Sequence, residues 1–256
     1  MGGAMLRRWP EGSRVTVLDP APSEAIRDHL RVRGARHAMT ASDADTADIV
    51  VLAVKPQLMN DVLPSLQPLI APSTIVLSVA AGVTIATLSA ALGTELIVRT
   101  IPNTPAMIGQ GVTAAFASSR VGSDARRAAS TLLRANGTVV WMDKEADIDR
   151  ATAVSGSGPA YVFHLVEALA AAGRDLGLDG EKADGLARQT VIGAAALLAS
   201  SENDPATLRE RVTSKGGTTA AALAVLMGKD GLTTLMSEAV RAAHERAIAL
   251  SREGNM

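Results

Sequence analysis

"DIVVLAVKP", Asp48 to Pro56, is an apolar run that closes on a lysine and a proline. A strand with one wet face alternates apolar and polar residues. A run that is apolar at nearly every position suits a parallel strand covered on both faces. Working outward, the pattern recurs in "STIVLSVAAG" (73–82) and "ELIVRTIPN" (95–103), and "GVTAAFAS" and "GTVVWMD" supply two further runs. Upstream, "SRVTVLD" (13–19) reads as a strand ending in an acid. It leads into the helical stretch "APSEAIRDHLRVRG", with Gly34 as a stop signal. Helical segments near 58–70, 84–92 and 123–135 separate some of the runs. Strand, helix and strand at this spacing predict a doubly wound α/β sheet.

After Ile148 the character changes to Ala- and Leu-rich helical periodicity. "DPATLRERVTS" opens with Asp204 as a helix N-cap and Pro205 in the first turn. The chain therefore divides into an α/β domain at 1–147 and an all-helical domain at 148–256. "VIGAAALLA" (191–199) is almost unbroken in its apolarity. A helix apolar all round must be buried, and a domain this small has little interior for it. A partner subunit is expected to cover it.

Composition bounds the function. The 256 residues are 47% hydrophobic and only 2% aromatic, so the core is built from aliphatic side chains. A net charge of −1 gives no electrostatic footprint for nucleic acid. The lack of cysteine removes disulfides and thiolate catalysis. His29, His37, His164 and His244 are scattered, which argues against a metal site. No apolar run is long enough to span a bilayer, and "MGGAMLRRWPEGS" has no secretory pattern, so a cytoplasmic protein is expected.

Four segments can carry chemistry. In "SKGGTT" (214–219) glycines free the backbone to present N–H groups, and a helix starting at the threonines adds uncompensated donors. That is a carboxylate-sized anion site, with two hydroxyls beside it. A plain capped helix start remains open on spacing alone. "SGSGPAY" (155–161) follows the same logic, or serves close packing between domains. "AVKP" lies where an α/β strand ends, at the face where such sheets bind ligands, and Lys55 there either meets an anion or is solvated. "RTIPNTPA" (99–106) sets two prolines around an Asn-Thr pair. His164 reads as a structural helix-face residue.

Taken in order, "ADIVVLAVKPQ", "SVAAGVTI", "RTIPNTPA", "IDRATAVSGSGPAY" and "VTSKGGTTAAAL" resemble the pyrroline-5-carboxylate reductase family over nearly the whole chain. The resemblance implies a Rossmann-like dinucleotide-binding domain followed by an all-helical substrate-binding and dimerisation domain. It implies hydride transfer from NADPH or NADH to a small cyclic imine bearing a carboxylate, forming proline. It further implies that Gly216, Gly217 and Thr218 hold the carboxylate and that Thr219, the candidate catalytic residue, orients the ring nitrogen. Gly2, the segment Ala53, Val54, Lys55 and Pro56, and the segment Val79, Ala80 and Ala81 match cofactor-binding stretches. Asn103 and Pro105 match the loop beside the nicotinamide. The implied partners are the small-molecule substrate and further copies of the chain, as a homodimer or larger.

The departures are equally specific. The family opens with a strand and a G-x-G-x-M-G loop, whereas here Met1 and Gly2 match only the end of that loop. A sheet lacking that first strand would be open in its middle, and its neighbours would carry unpaired groups costing ~1–3 kcal/mol each where buried. Either the start codon is assigned too late or the chain is a truncated, non-catalytic oligomerisation partner. Asp19, ending the second family strand, suits a ribose hydroxyl and tilts the reading toward NADH, with Arg14 or Arg36 able to offset it. Thr40 stands where relatives often carry an asparagine. A hydroxy-acid dehydrogenase would place a lysine donor in the helical domain, and no clear equivalent is present.

Overall fold

The structure is a computed structural model and describes residues 1–253. It forms two compact units, one comprising Met1–Ser157 with the chain from Ala243 onward, the other Gly158–Ala242.

The first unit runs α1 (Gly2–Leu6), β1 (Thr16–Leu18), α2 (Glu24–Arg33), β2 (Arg36–Ala38), β3 (Ile49–Leu52), α3 (Met59–Leu66) and β4 (Ile75–Ser78). It continues through α4 (Ile85–Leu92), β5 (Ile97–Pro102), β6 (Gly111–Ala117), α5 (Ser123–Arg134), β7 (Gly137–Trp141) and α6 (Ala146–Ala151). The helix α2 stops where expected, with Gly34 left-handed at φ 66° and its N–H returned to Arg31 and Leu30.

The sheet is in two pieces. β1 pairs with β2 in parallel, and a separate sheet has the order β3-β4-β5-β6-β7. Among the described strands β1 and β3 each have a single ladder neighbour, so the expected opening is present. Gly2 lies at the C-terminal end of β3, where a Cβ on it would come within 2.8 Å of the Ala53 Cβ. The sheet is not uniformly parallel. β3, β4 and β5 are parallel, β6 is antiparallel to β5, and β7 follows β6. The cause is the link from β5 to β6, a single 3-10 turn over Thr104–Ile108 closed by left-handed Gly109. That length makes a reversal, whereas a parallel return needs a crossover of roughly a dozen residues or more.

Both faces of the larger sheet are covered, as a doubly wound fold requires. On one, Val76 and Ile97 pack with Met59, Leu63 and Leu66 of α3 and Leu88 and Leu92 of α4. On the other, Ile75, Leu77 and Val98 pack with Met5 of α1 and with Ala129 and Leu133 of α5. Trp9 and Trp141 flank this second layer. The Trp141 indole donates to the Ser130 hydroxyl at 3.1 Å and carries the Arg126 guanidinium 4.2 Å above its ring.

The second unit contains α7 (Gly158–Asp175), α8 (Gly180–Ser200), α9 (Pro205–Arg211), α10 (Thr218–Leu226) and the first half of α11 (Leu232–Glu253), whose second half, from Ala243, belongs to the first unit. Asp179 caps α8 through the Glu181 and Lys182 N–H groups, and Asp204 caps α9 through those of Ala206 and Thr207. α7 and α8 approach closely because Gly173 has no side chain, and a Cβ there would touch the Ala183 Cβ at 3.4 Å. Only small residues are buried in these two helices: Ala170, Ala183 and Ala187. Phe163 is 63% exposed, Leu186 60% and Val225 74%. This unit has almost no apolar interior of its own. An exposed apolar surface of this extent marks an interaction face.

Candidate active site

The expected cofactor residues of the first unit gather at one edge of the sheet. β3, β4 and β5 are parallel neighbours, with Leu52 opposite Ser78 and Ser78 opposite Arg99. The segments that follow them, Ala53–Pro56, Val79–Ala81 and Asn103–Pro105, therefore emerge side by side at the strands' C-terminal ends. This is where open α/β sheets bind ligands. The Val79 N–H donates to the Leu52 carbonyl at 3.0 Å and ties the first two segments together.

The side chains there are small or turned outward. Ala53 is exposed, Ala80 is buried, and Val54 and Ala81 are half-buried. Lys55 is exposed at the start of a 3-10 turn over Pro56–Leu58, with no ion-pair partner among the described residues. Asn103 is buried, and its Oδ1 accepts the Val112 N–H at 2.9 Å, which fixes the turn holding half-buried Pro105. Gly2 closes against Ala53 and leaves no room for a side chain. A shelf of strand ends lined with alanine and glycine fits a dinucleotide, whose pyrophosphate needs close backbone approach. At the far end of β1, the Asp19 carboxylate accepts the Ala21 N–H at 2.9 Å. Arg36 is held by Asp45 and by the Asp43 carbonyl. Thr40 forms a reciprocal cap with Asp43. That cap holds the Asp43 carboxyl below the usual aspartate range, through the Thr40 hydroxyl first and the Thr40 N–H second.

Gly216, Gly217, Thr218 and Thr219 lie in the second unit and form the start of α10. Gly216 is left-handed at φ 73°, and Gly217 is the N-cap. A Cβ on Gly217 would stand 2.4 Å from the Ser214 hydroxyl, which would have to turn aside, and 3.3 Å from the Ser214 carbonyl oxygen. The first-turn N–H groups of α10 have no intrahelical acceptor by the geometry of a helix start. Neither threonine hydroxyl engages another described residue; Thr219 is half-buried and Thr218 exposed. Bare donors, a dipole's positive end and two hydroxyls can hold a small carboxylate and a polar atom beside it.

"SGSGPAY" adds a feature the sequence reading lacked. Thr152–Gly156 is a turn of π-helix, and α7 begins at Gly158 with Pro159 in its first turn. π-turns concentrate at functional sites. The Ser155 hydroxyl returns to the Ala151 carbonyl at 2.9 Å. His164 is exposed and meets Glu167 at 3.0 Å, a helix-face pairing as expected.

An α/β unit whose strand ends fit a dinucleotide, and a helical unit whose helix start offers free donors, suit a nicotinamide-dependent oxidoreductase. Two family models match the chain: "NADP oxidoreductase coenzyme F420-dependent" at residues 1–82 and "Pyrroline-5-carboxylate reductase dimerisation" at 145–250. Pyrroline-5-carboxylate reductase of Pseudomonas aeruginosa is 45% identical over 208 residues, covering 81% of this chain and 76% of that protein. The solved structure of a pyrroline-5-carboxylate reductase from Coxiella burnetii superposes with a TM-score of 0.89 at 36% identity, over 98% of this chain and 94% of that one. The Plasmodium falciparum enzyme, solved with NADP bound, gives 0.80 at 29% identity, over 97% and 92%. The chain belongs to the pyrroline-5-carboxylate reductase family.

Proposed function

We propose that this chain reduces 1-pyrroline-5-carboxylate to L-proline, with NADPH or NADH as reductant. The observation that carries the reading is the start of α10, where Gly216, Gly217 and two unengaged threonines form a bare carboxylate cradle. Family membership gives that cradle its substrate, a five-membered cyclic imine with one carboxylate.

The nicotinamide supplies the hydride when it is bound. Ala53–Pro56, Val79–Ala81 and the Asn103–Pro105 turn would hold the dinucleotide, with Gly2 admitting its close approach. The N–H groups of Thr218 and Thr219, presented by the Gly216–Gly217 turn, hold the substrate carboxylate, the Gly217 N–H being spent on the Ser214 carbonyl at 3.0 Å. The hydride goes to the imine carbon, the C=N bond becomes a single bond, and the ring nitrogen finishes with a proton. A threonine hydroxyl is a weak acid, so Thr219 orients a nitrogen that arrives protonated, or links it to water. Catalysis is then chiefly positioning, with donor and acceptor held at reacting distance.

We further take 1–147 as the dinucleotide-binding domain and 148–256 as the substrate-binding and dimerisation domain, working as a homodimer or larger oligomer in the cytoplasm. The dimerisation match beginning at residue 145 and the exposed apolar helices support this division. Among the described residues no helix is long and apolar enough to cross a membrane. Purified protein should oxidise NADPH or NADH only when the imine is added. Absence of imine-dependent turnover would favour the non-catalytic partner instead.

A further inference from the structure

The strand β5 carries a charge at its centre. Arg99 is 2% exposed, in a strand where Ile97, Val98, Ile101 and Pro102 are apolar. Removing a guanidinium from water is costly unless its donors are met. Its Nη1 donates to Glu145 Oε1 at 3.2 Å, and its Nη2 donates to Asp149 Oδ1 at 2.7 Å and to the Ser251 hydroxyl at 3.4 Å. The Ser251 hydroxyl itself donates to the same Asp149 oxygen at 3.2 Å. Only Nε lacks a partner. The exposed pair Arg120–Glu95 elsewhere on the unit shows the contrast, since its side chains are 72% and 64% open to solvent.

The partners of Arg99 reach one loop. Glu145 Oε1 also accepts the Ile85 N–H at 2.8 Å, so a single carboxylate oxygen is shared between Arg99 and the start of α4. On α11, Leu250 precedes Ser251 and rests on Gly82. A Cβ on Gly82 would stand 3.0 Å from the Leu250 carbonyl oxygen, and Gly82 is left-handed at φ 76°. The loop from Val79 to Thr84 is thus pressed at Gly82 by the end of α11 and tied just past Thr84 by Glu145. Both holders converge on Arg99.

We infer that Arg99 is a positioning residue for the dinucleotide. Acting through Glu145 and the Leu250–Ser251 turn, it fixes the Val79–Thr84 loop against the cofactor without touching the cofactor itself. This rests on the reading of Val79–Ala81 as cofactor-binding.

The test compares the full-length protein with Arg99→Met, Arg99→Lys, Glu145→Ala, Glu145→Gln and Ser251→Ala, and with Arg120→Ala as a surface control. Calorimetric titration gives Kd for NADPH and NADH. Steady-state kinetics give the cofactor KM separately from kcat, and hydrogen exchange reads the 79–85 peptides. Arg99→Met and Glu145→Ala should raise cofactor Kd and KM several-fold, change kcat at saturating cofactor much less, and speed exchange at 79–85 more than in β6 or β7. Arg99→Lys should recover part of the loss. Glu145→Gln, which can still accept the Ile85 N–H, should fall between. Should Arg99→Met not fold, the Glu145 and Ser251 variants carry the same comparison. The inference is overturned if cofactor Kd and loop exchange stay at the unsubstituted values, or if exchange rises evenly across the sheet. Failure of the unsubstituted protein to bind either dinucleotide would overturn the cofactor reading, and the inference with it, before any substitution is compared.

Discussion

Thr219 is one hydroxyl in the first turn of α10, and the proposed chemistry gives it a substrate atom to hold. Thr219→Ala should lower kcat/KM for the imine about ten-fold, the loss of one hydrogen bond to a charged partner at ~1.5 kcal/mol. Thr219→Ser should retain most of the activity, and thermal melting should be unchanged in both. An equal kcat/KM for Thr219→Ala would remove the residue from the mechanism. Asp204 makes a pH prediction of known sign. The Thr207 N–H, then the Thr207 hydroxyl, hold its carboxyl below the usual aspartate range. The cap therefore stabilises fully at neutral pH and is lost as pH falls through the depressed value, where the carboxyl protonates. Asp204→Asn should flatten that acid-limb part of the Tm–pH curve, measured by thermal melts across acidic pH. At this scale the sequence is uneven. The Gly-Gly-Thr-Thr segment stands out through its glycines beside hydroxyls, although its spacing alone fits a plain capped helix start equally well. Arg99 does not stand out, because its partners lie 46, 50 and 152 residues away along the chain. Its one local signal is a charge inside an apolar strand.

The elements β3, β4 and β5 were readable because strands buried on both faces leave continuous apolar runs. The directions of β6 and β7 were not, because an apolar run does not say which way it points. The eight-residue link, 103–110, did carry that information, since it is too short for a crossover. The strand β2 was missed because "RHA" is short and largely exposed, held mainly by its pairing to β1. The π-turn at 152–156 leaves no periodic trace. Two substitutions test the packing. Leu88 of α4 is wholly buried between α3 and the sheet, so Leu88→Ala should cost ~2–5 kcal/mol in denaturant unfolding. Gly137 opens β7 at φ 136°, and a Cβ there would lie 2.0 Å from the Gly111 carbonyl oxygen in the facing strand. Gly137→Ala should therefore cost about 1–3 kcal/mol or more. Gly12→Ala, also at positive φ but with nothing within 4 Å, should cost less.

At the scale of the whole molecule, two features follow from composition. A chain that is 47% hydrophobic and 2% aromatic makes helices of alanine and leucine that pack closely but bury little within one unit. Phe163, Leu186 and Ile192 consequently remain open on α7 and α8. Light scattering after size exclusion should find a dimer or larger. Leu186→Glu should shift it toward monomer, and a monomeric unsubstituted protein would contradict the proposed assembly. The division of the sheet between β1 and β3 was foreseeable only by comparing "MGGAML" with a family pattern, because an apolar strand does not record which neighbour it pairs with.

The scarcity of aromatic residues has a practical consequence. The chain's two tryptophans, Trp9 and Trp141, both flank the α1–α5 layer of the first unit, while the second unit holds none. Intrinsic indole fluorescence therefore watches the α/β half alone, whereas far-ultraviolet circular dichroism is weighted toward the long helices. Recorded together during denaturation, the two signals will show whether the halves melt as one cooperative body or in sequence, with no dye or label attached.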